Sequence, residues 1–94
     1  MDAKLKKLWV AELRSGAWMQ AEGTLFDAEC GGFCCLGVLR ELMPNDSAAY
    51  KRKETSAFCR AVKFAGSIED KLVDMNDCER KSFPEIADWI EANL

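Results

Sequence analysis

The residues with the most obvious chemical potential are five cysteines, three of which fall between residues 30 and 35. Cys34 and Cys35 follow a glycine pair and begin a predicted helix, and the dipole of a helix lowers the pKa of a thiol at its N-terminus. A cysteine hydrolase also needs a base to accept the thiol proton, and the sequence contains no histidine. This absence excludes Cys–His and Ser–His–Asp catalysis and zinc hydrolases built on histidine.

The spacing of the cysteines also argues against metal and redox sites. Structural zinc sites repeat a pair of cysteines separated by two residues, and that repeat is missing here. Neighbouring cysteines such as Cys34 and Cys35 point in different directions on a helix, which disfavours a redox pair. An odd number of cysteines without an export signal points to a reducing compartment. We therefore expect five free thiols, buried as small apolar groups, and no metal or other cofactor.

Carboxylates are plentiful towards the C-terminus, where residues 67–94 carry 8 acidic and 3 basic groups. Asp70, Asp74 and Asp77 would share one face of a helix, and such a set could hold a divalent metal for phosphoryl transfer. A solvated helical surface is the commoner explanation of such a pattern. A third interpretation is an acidic surface that docks on a basic partner.

The main positive feature is the run Lys51-Arg52-Lys53, followed by Arg60 and Lys63. Arginines bind phosphate groups through paired hydrogen bonds, so this run could hold an anionic ligand such as a nucleotide. Trp9 and Trp18 could then stack on a base, and Arg14, Arg52 and Arg60 are the candidate phosphate partners. A plain solvated loop or helix surface is the alternative for the basic run.

The elements that must position these groups begin with a helix over residues 2–15. Apolar residues recur there at helical spacing, at Leu5, Leu8, Trp9 and Leu13. Asp2 can cap its start and Gly16 suits its end. Residues 18–21 and 24–27 then predict the strands of a short hairpin, with Gly31-Gly32 as a flexible break afterwards.

Residues 33–43 predict the central buried helix, because its first turns are apolar on all sides. Gly37 within it makes sense if another backbone packs closely there. Residues 46–65 are a weaker helical stretch that Gly66 would end, and helix or loop remains open for them. Ser67-Ile68-Glu69-Asp70 then predicts a capping box, and Asn76-Asp77 a polar turn.

The last helix carries the clearest signals. Ser82 is a capping residue, Pro84 lies in the first turn and Glu85 completes a capping box. The predicted fold is therefore α+β and mainly α. It has four to five short helices around a central buried helix, a short β-hairpin between helices 1 and 2, and one compact domain over residues 1–94.

The composition limits the compartments and the binding partners that we expect. Apolar residues make up 49% of the chain, a surplus that favours a homo-oligomer. The net charge of −3 disfavours direct binding of nucleic acid. No apolar export signal is recognised, and no stretch approaches the roughly 18 apolar residues of a membrane span. We expect a cytoplasmic protein without membrane partners.

Several strings of this sequence resemble a family of small uncharacterised proteins encoded by phages and prophages. The most specific is Phe33-Cys34-Cys35-Leu36-Gly37-Val38-Leu39; the others are Trp9-Val10, Leu13-Arg14-Ser15-Gly16, Gln20, Gly23, Met75-Asn76-Asp77, Ser82-Phe83 and Glu85-Ile86-Ala87. The resemblance covers most of the chain and is weakest over residues 44–66. It implies a phage accessory protein in a bacterial cytoplasm and no inherited catalytic residue. Its polar positions Gln20, Asn76 and Asp77 complete the candidate binding residues.

Three hypotheses about function follow, given in order of preference. The first is a non-enzymatic protein that binds and inhibits a host bacterial factor, such as an anti-CRISPR or other anti-defence protein. The second is an oligomeric sponge that sequesters a nucleotide immune signal. The third is a metal-dependent enzyme that processes nucleotides through its carboxylates.

Overall fold

Five α-helices and one two-stranded hairpin make up the chain in a computed structural model that describes residues 1–94. The elements follow one another as α1 (Ala3–Arg14), β1 (Phe26–Asp27), β2 (Gly32–Phe33), α2 (Cys35–Glu41), α3 (Thr55–Ala61), α4 (Gly66–Val73), a π-helical segment (Asp74–Cys78) and α5 (Phe83–Asn93). The predicted class, α+β and mainly α with a hairpin between the first two helices, is confirmed. None of the helices has the length and apolar content needed to cross a membrane.

Helix α2 is the predicted central element, because its first five residues are all buried. Gly37 packs against the backbone of Leu25 so closely that a Cβ at this position would overlap the Leu25 carbonyl. The close approach predicted for this glycine is therefore confirmed. The helix starts two residues later than expected: Phe33 belongs to β2, and Cys34 is the N-cap, whose Sγ accepts a hydrogen bond from the Gly37 amide at 3.4 Å.

Helix α1 begins and ends as its capping residues predict. Asp2 accepts a hydrogen bond from the Leu5 amide at 2.8 Å, and Gly16 adopts a φ of 76° just after the helix. The buried face differs by one position from the expected stripe, since Leu8 is 48% exposed while Val10 is buried. The cause is the neighbour: α1 packs along α5, and that contact selects the face.

The hairpin pairs residues 26–27 with residues 32–33, and not residues 18–21 with residues 24–27 as predicted. Phe26 of β1 lies opposite Phe33 of β2, and the first predicted strand contributes only a parallel bridge from Gln20 to Phe33. Gly32 lies within β2 and makes no break. A Cβ there would come within 2.9 Å of the Cβ of Ala21, so glycine allows the two segments to approach. Close packing, which the pattern of turn residues does not reveal, sets this pairing.

The stretch between α2 and α4 resolves into turns followed by the short helix α3. Gly66 does not end a helix but begins α4, with Ala65 as an N-cap that makes no side-chain hydrogen bond. The capping box predicted at Ser67 is therefore wrong. Lys63 has a φ of 63° and provides the left-handed turn that separates the two helices.

Helix α5 confirms its predicted start and closes the core. The Ser82 hydroxyl accepts from the Glu85 amide at 3.3 Å, and the Glu85 carboxylate accepts from the Ser82 amide at 3.0 Å. One cluster of 17 buried residues draws on every helix. A further 12 partly buried apolar residues pack against this cluster.

Candidate binding site

The side chain of Asn76 is the polar centre of the molecule, with an exposed fraction of only 1%. Its Nδ2 donates to the Ala21 carbonyl at 2.8 Å and to Asp77 Oδ1 at 2.7 Å. Its Oδ1 accepts from the Cys35 amide at 3.2 Å and from Gln20 Nε2 at 2.9 Å. The amide therefore joins the loop after α1, the start of α2 and the π-helical segment.

The π-helical segment explains why Asn76 points inward. The Glu79 amide donates to the Asp74 carbonyl at 2.8 Å across five residues, so this turn is wider than an α-helical one. Gln20 Nε2 also donates to the Lys81 carbonyl at 2.8 Å, which holds the chain after the segment. The polar turn predicted at Asn76-Asp77 is wrong, because Asn76 is buried within a helix. Single π-helical turns occur frequently at functional sites.

A cavity of about 240 Å³ opens beside Asn76. Its polar lining includes the carboxylates of Glu69 and Asp77 and the hydroxyls of Thr24, Thr55 and Ser56, and it contains no basic side chain. The Ser56 hydroxyl donates to Glu69 Oε2 at 2.7 Å. Neither carboxylate forms an ion pair within 4.0 Å. The cavity therefore presents two carboxylates that have no ion-pair partner within the chain.

The two cysteines that line this cavity are not activated. Burial raises the pKa of the Cys34 thiol, and it raises that of Cys35 well above its usual value. At Cys34 desolvation outweighs the hydrogen bond from the Gly37 amide, which by itself would favour the thiolate. Both side chains are thus neutral thiols at physiological pH and poor nucleophiles.

The remaining cysteines divide between core and surface, although all five are free. Burial raises the pKa of Cys59 to about 12. Cys30 and Cys78 are exposed, so the expectation that every thiol is buried is wrong for these two. Cys30 lies in the hairpin turn, and Cys78 is the last residue of the π-helical segment, beyond its buried residues Met75 and Asn76.

Three aromatic side chains form a row along the hairpin, here called the aromatic row: Trp18, Phe33 and Phe26. The Phe33 ring lies between the other two, with centroid distances of 5.1 Å to Trp18 and 4.9 Å to Phe26. Phe26 is 42% exposed, and Met19 beside Trp18 in the chain is 58% exposed. Residues 15–39 carry three carboxylates and no lysine or arginine. The aromatic row therefore lies on an anionic segment of the chain.

Trp9 is not available as a stacking platform. Its ring is fully buried, it stacks against Phe64 with a centroid distance of 6.1 Å, and its Nε1 donates to the Cys35 carbonyl at 2.9 Å. Helical spacing places Trp9 on an apolar face, and α5 covers that face. Trp18, the other predicted platform, is half-buried, and its indole N–H is buried without an acceptor.

The structure separates Arg14 from the other two candidate phosphate partners. Arg14 makes ion pairs with Asp88 at 2.7 Å and Glu91 at 3.2 Å. Its hydrogen bonds to Glu91, the larger cause, and to Asp88 raise the pKa of its guanidinium. Its charge is thus already neutralised by α5. Arg52 and Arg60, in contrast, line one surface depression of about 280 Å³.

The predicted carboxylate site does not assemble. No three side chains of the histidine, cysteine, aspartate or glutamate type come together in a group that could hold a metal ion. The helical repeat that would align Asp70, Asp74 and Asp77 is interrupted, because the π-helical segment begins at Asp74. The wider turn changes the direction of the side chains that follow.

The structure thus brings together Gln20, Asn76 and Asp77, and separately Arg52 and Arg60. The cavity residues that the sequence did not indicate are Thr24, Thr55, Ser56 and Glu69. They come from the loop before β1, from α3 and from α4, so no spacing in the sequence links them.

Comparison with known proteins gives one match. No curated protein and no solved structure matches the chain. A family model matches residues 1–64, which contain α1, the hairpin, α2 and α3. Since this is more than half of the 94 residues, the chain belongs to the family described as a domain of unknown function, DUF8296.

Proposed function

We propose that this chain is a non-enzymatic accessory protein of phage type that binds a host bacterial protein in the cytoplasm and inhibits it, as an anti-CRISPR or other anti-defence protein does. The observation that carries the proposal is the exposed aromatic row beside an acidic cavity. Gly23, Thr24 and residues 34–36 line the cavity and are close in the chain to Phe26 and Phe33 of the row, so we expect one partner surface to reach both.

The aromatic row has the composition of an interface centre. Tryptophan and other large aromatic residues dominate the energetics of protein interfaces, and they do so when neighbouring contacts exclude water. Phe26 still exposes 42% of its surface, while Trp18 and Phe33 already rest on the core. A partner that covers Phe26 gains apolar burial without having to order a flexible segment.

The acidic cavity indicates the charge of that partner. At about 240 Å³ it is smaller than the 300–1,000 Å³ typical of small-molecule sites, and it suits a single long side chain. Glu69 and Asp77 favour a cationic end, and the hydroxyls around them can accept further hydrogen bonds. The partner is therefore a protein that presents a lysine or arginine within a basic surface.

The two other hypotheses have less support. An oligomeric nucleotide sponge built on Trp9 and Arg14 conflicts with the burial of the first and the ion pairs of the second. A metal enzyme would need its carboxylates grouped, and Asp70, Asp74 and Asp77 form no such group. A homo-oligomer remains a prediction, to be checked by sedimentation of the purified chain.

Capture from a host lysate, followed by reconstitution with the purified partner, tests the aromatic row. Phe26→Ser should weaken binding about three- to tenfold, since full burial of one aromatic side chain contributes roughly 1.5–3 kcal/mol and 42% of the Phe26 surface remains to be covered. Leu8→Ser is the matched control, because Leu8 is 48% exposed on α1 and lies outside the row. A partner that binds the Phe26→Ser chain as tightly as the wild type, or the absence of any stoichiometric partner, contradicts the proposal.

A second pair of variants tests the cavity. Glu69→Gln removes a cavity carboxylate and should weaken the purified complex about thirtyfold or more, because a closely paired interfacial charge contributes about 2 kcal/mol or more. Asp70→Asn removes the same charge one residue away, outside the cavity lining, and should leave the affinity within about twofold. Equal effects of both variants would mean that only the net charge matters and would contradict the cavity as a receptor.

A further inference from the structure

The basic residues between 51 and 63 make no ion pair within the chain. All five are exposed, and none lies within 4.0 Å of a carboxylate oxygen: Lys51, Arg52, Lys53, Arg60 and Lys63. The whole chain has a net charge of −3. An isolated group of cations on an acidic protein concentrates anions at one place on its surface.

Two of these cations share a concave surface. Arg52 and Arg60 line a depression of about 280 Å³ together with Ala57 and Ala61. The two alanines lie one turn apart on α3, and their small side chains leave the space open. The volume equals that of roughly nine water molecules at about 30 Å³ each, which is enough for one or two phosphate groups.

The backbone that carries the two arginines is held in place. The Arg52 carbonyl accepts a hydrogen bond from Arg40 Nη1 at 2.9 Å, and the Arg40 guanidinium lies over the Tyr50 ring at 5.8 Å from its centroid. Arg60 stands on α3, whose Phe58 and Cys59 are anchored in the core. Both side chains therefore extend from fixed positions, which reduces the entropy lost when they close on a ligand.

We propose that Arg52 and Arg60 bind a phosphate group of a small anionic ligand, such as the diphosphate of a nucleotide. Guanidinium groups bind phosphate oxygens in pairs, and two of them at one depression match the charge of a diphosphate. The acidic cavity beside Asn76 would repel such a ligand, so this depression is a separate site. It involves neither the aromatic row nor Glu69 and stands independently of the proposed host-protein binding.

Titration of the isotope-labelled chain with sodium pyrophosphate, followed by amide NMR, tests the site. The shifts should concentrate on residues 52–61 and saturate. Arg60→Gln should weaken binding about tenfold or more, because a charged hydrogen bond contributes that much. Lys4→Gln removes the same charge from an exposed position on α1 and should change the affinity less than about twofold.

Three results would overturn the proposal. The first is pyrophosphate shifts spread equally over the lysines of α1, and the second is unchanged binding by the Arg60→Gln chain. The third is binding of a single-stranded oligonucleotide by a chain that does not bind pyrophosphate, which would indicate nucleic acid as the ligand instead. Since Arg60 is exposed, an unchanged amide spectrum outside residues 52–61 will show that the variant folds.

Discussion

A single buried amide, that of Asn76, satisfies hydrogen-bonding groups of two other segments, the loop after α1 and the start of α2. Asn76→Asp keeps the shape but replaces the donor that faces the Ala21 carbonyl and Asp77 with an acceptor. We expect the variant to lose about 3 kcal/mol of unfolding free energy, since a buried charge is left facing two acceptors. Urea denaturation measures the loss, which should shrink at acidic pH as the new carboxyl becomes neutral.

Asn93 provides the matched control for this change. Its Nδ2 donates to the Trp89 carbonyl at 2.8 Å in the exposed last turn of α5. Asn93→Asp should cost less than about 0.5 kcal/mol, as is usual for surface substitutions. Similar losses at the two positions would show that Asn76 is not the buried junction that the hydrogen bonds indicate.

The thiols provide a second prediction for individual residues. Cys30 and Cys78 are exposed and should react with a disulfide reagent in the native protein, whereas the other three cysteines should react only on unfolding. Cys78 should be the slower of the two, because the Asp74 carboxylate raises its pKa through a hydrogen bond and its charge. Cys30→Ser should then remove the fast phase. Rapid modification of three or more native thiols would contradict the burial.

Single residues also show where sequence reasoning about the site succeeds and fails. Gln20, Asn76 and Asp77 were candidates, yet their convergence depends on a π-helical turn that no spacing announces. Trp9 was expected at a binding surface, but an apolar helical face does not reveal which neighbour covers it. Arg14 looked free because Asp88 and Glu91 are distant in the sequence.

At the level of secondary structure, the contact between α2 and the loop before β1 depends on Gly37. A methyl group at Gly37 would overlap the Leu25 carbonyl. Because this carbonyl belongs to the backbone, the overlap can be relieved only if the hairpin moves away from the helix. We expect Gly37→Ala to lower the free energy of unfolding by about 3 kcal/mol, although alanine has a helix propensity that is more favourable by about 1 kcal/mol. Thermal denaturation measures the difference.

Gly66 is the matched control for Gly37. It lies at the start of α4, has open space around its Cα and does not adopt a positive φ. Gly66→Ala should leave stability unchanged or raise it by up to about 1 kcal/mol. A Gly37→Ala chain as stable as this control would disprove the close approach of the two backbones.

The starts of some helices depend on local hydrogen bonds and can be predicted from the sequence, whereas other elements depend on distant contacts. The capping residues Asp2 and Ser82 predict the starts of α1 and α5 because the hydrogen bonds involved are local. The strand limits of the hairpin and the capping box of α4 are predicted wrongly. Gly32 takes its position from contact with Ala21, and Ser67 has capping chemistry but lies within the first turn of a helix that starts one residue earlier.

For the whole molecule, charge and apolar surface are distributed over distinct regions. Residues next to Phe26 and Phe33 of the aromatic row line part of the acidic cavity, whereas the cations without an ion-pair partner lie between residues 51 and 63. A protein partner with a basic surface would be attracted to the first region and repelled by the second. This asymmetry would orient such a partner, and its influence should weaken as salt screens the charges.

The family match ends at residue 64, but the fold does not. Six of the 17 core residues lie beyond that point, two of them before α5 and four within it: Leu72, Met75, Phe83, Ile86, Ala87 and Ile90. Asn76, which joins Ala21 to Cys35, is also lost on truncation. A fragment of residues 1–64 would therefore expose the apolar face of α1 and leave buried backbone groups without partners.

We expect this fragment to lack a cooperative thermal transition, whereas the full chain shows one, because the fragment cannot offset the entropy of ordering its backbone. Circular dichroism of both chains measures the difference. Addition of a peptide of residues 65–94 should restore helical signal to the fragment, since α5 and Asn76 would again cover their sites. A fragment that unfolds cooperatively by itself would show that the matched region is an independent domain and that α5 is an addition to it.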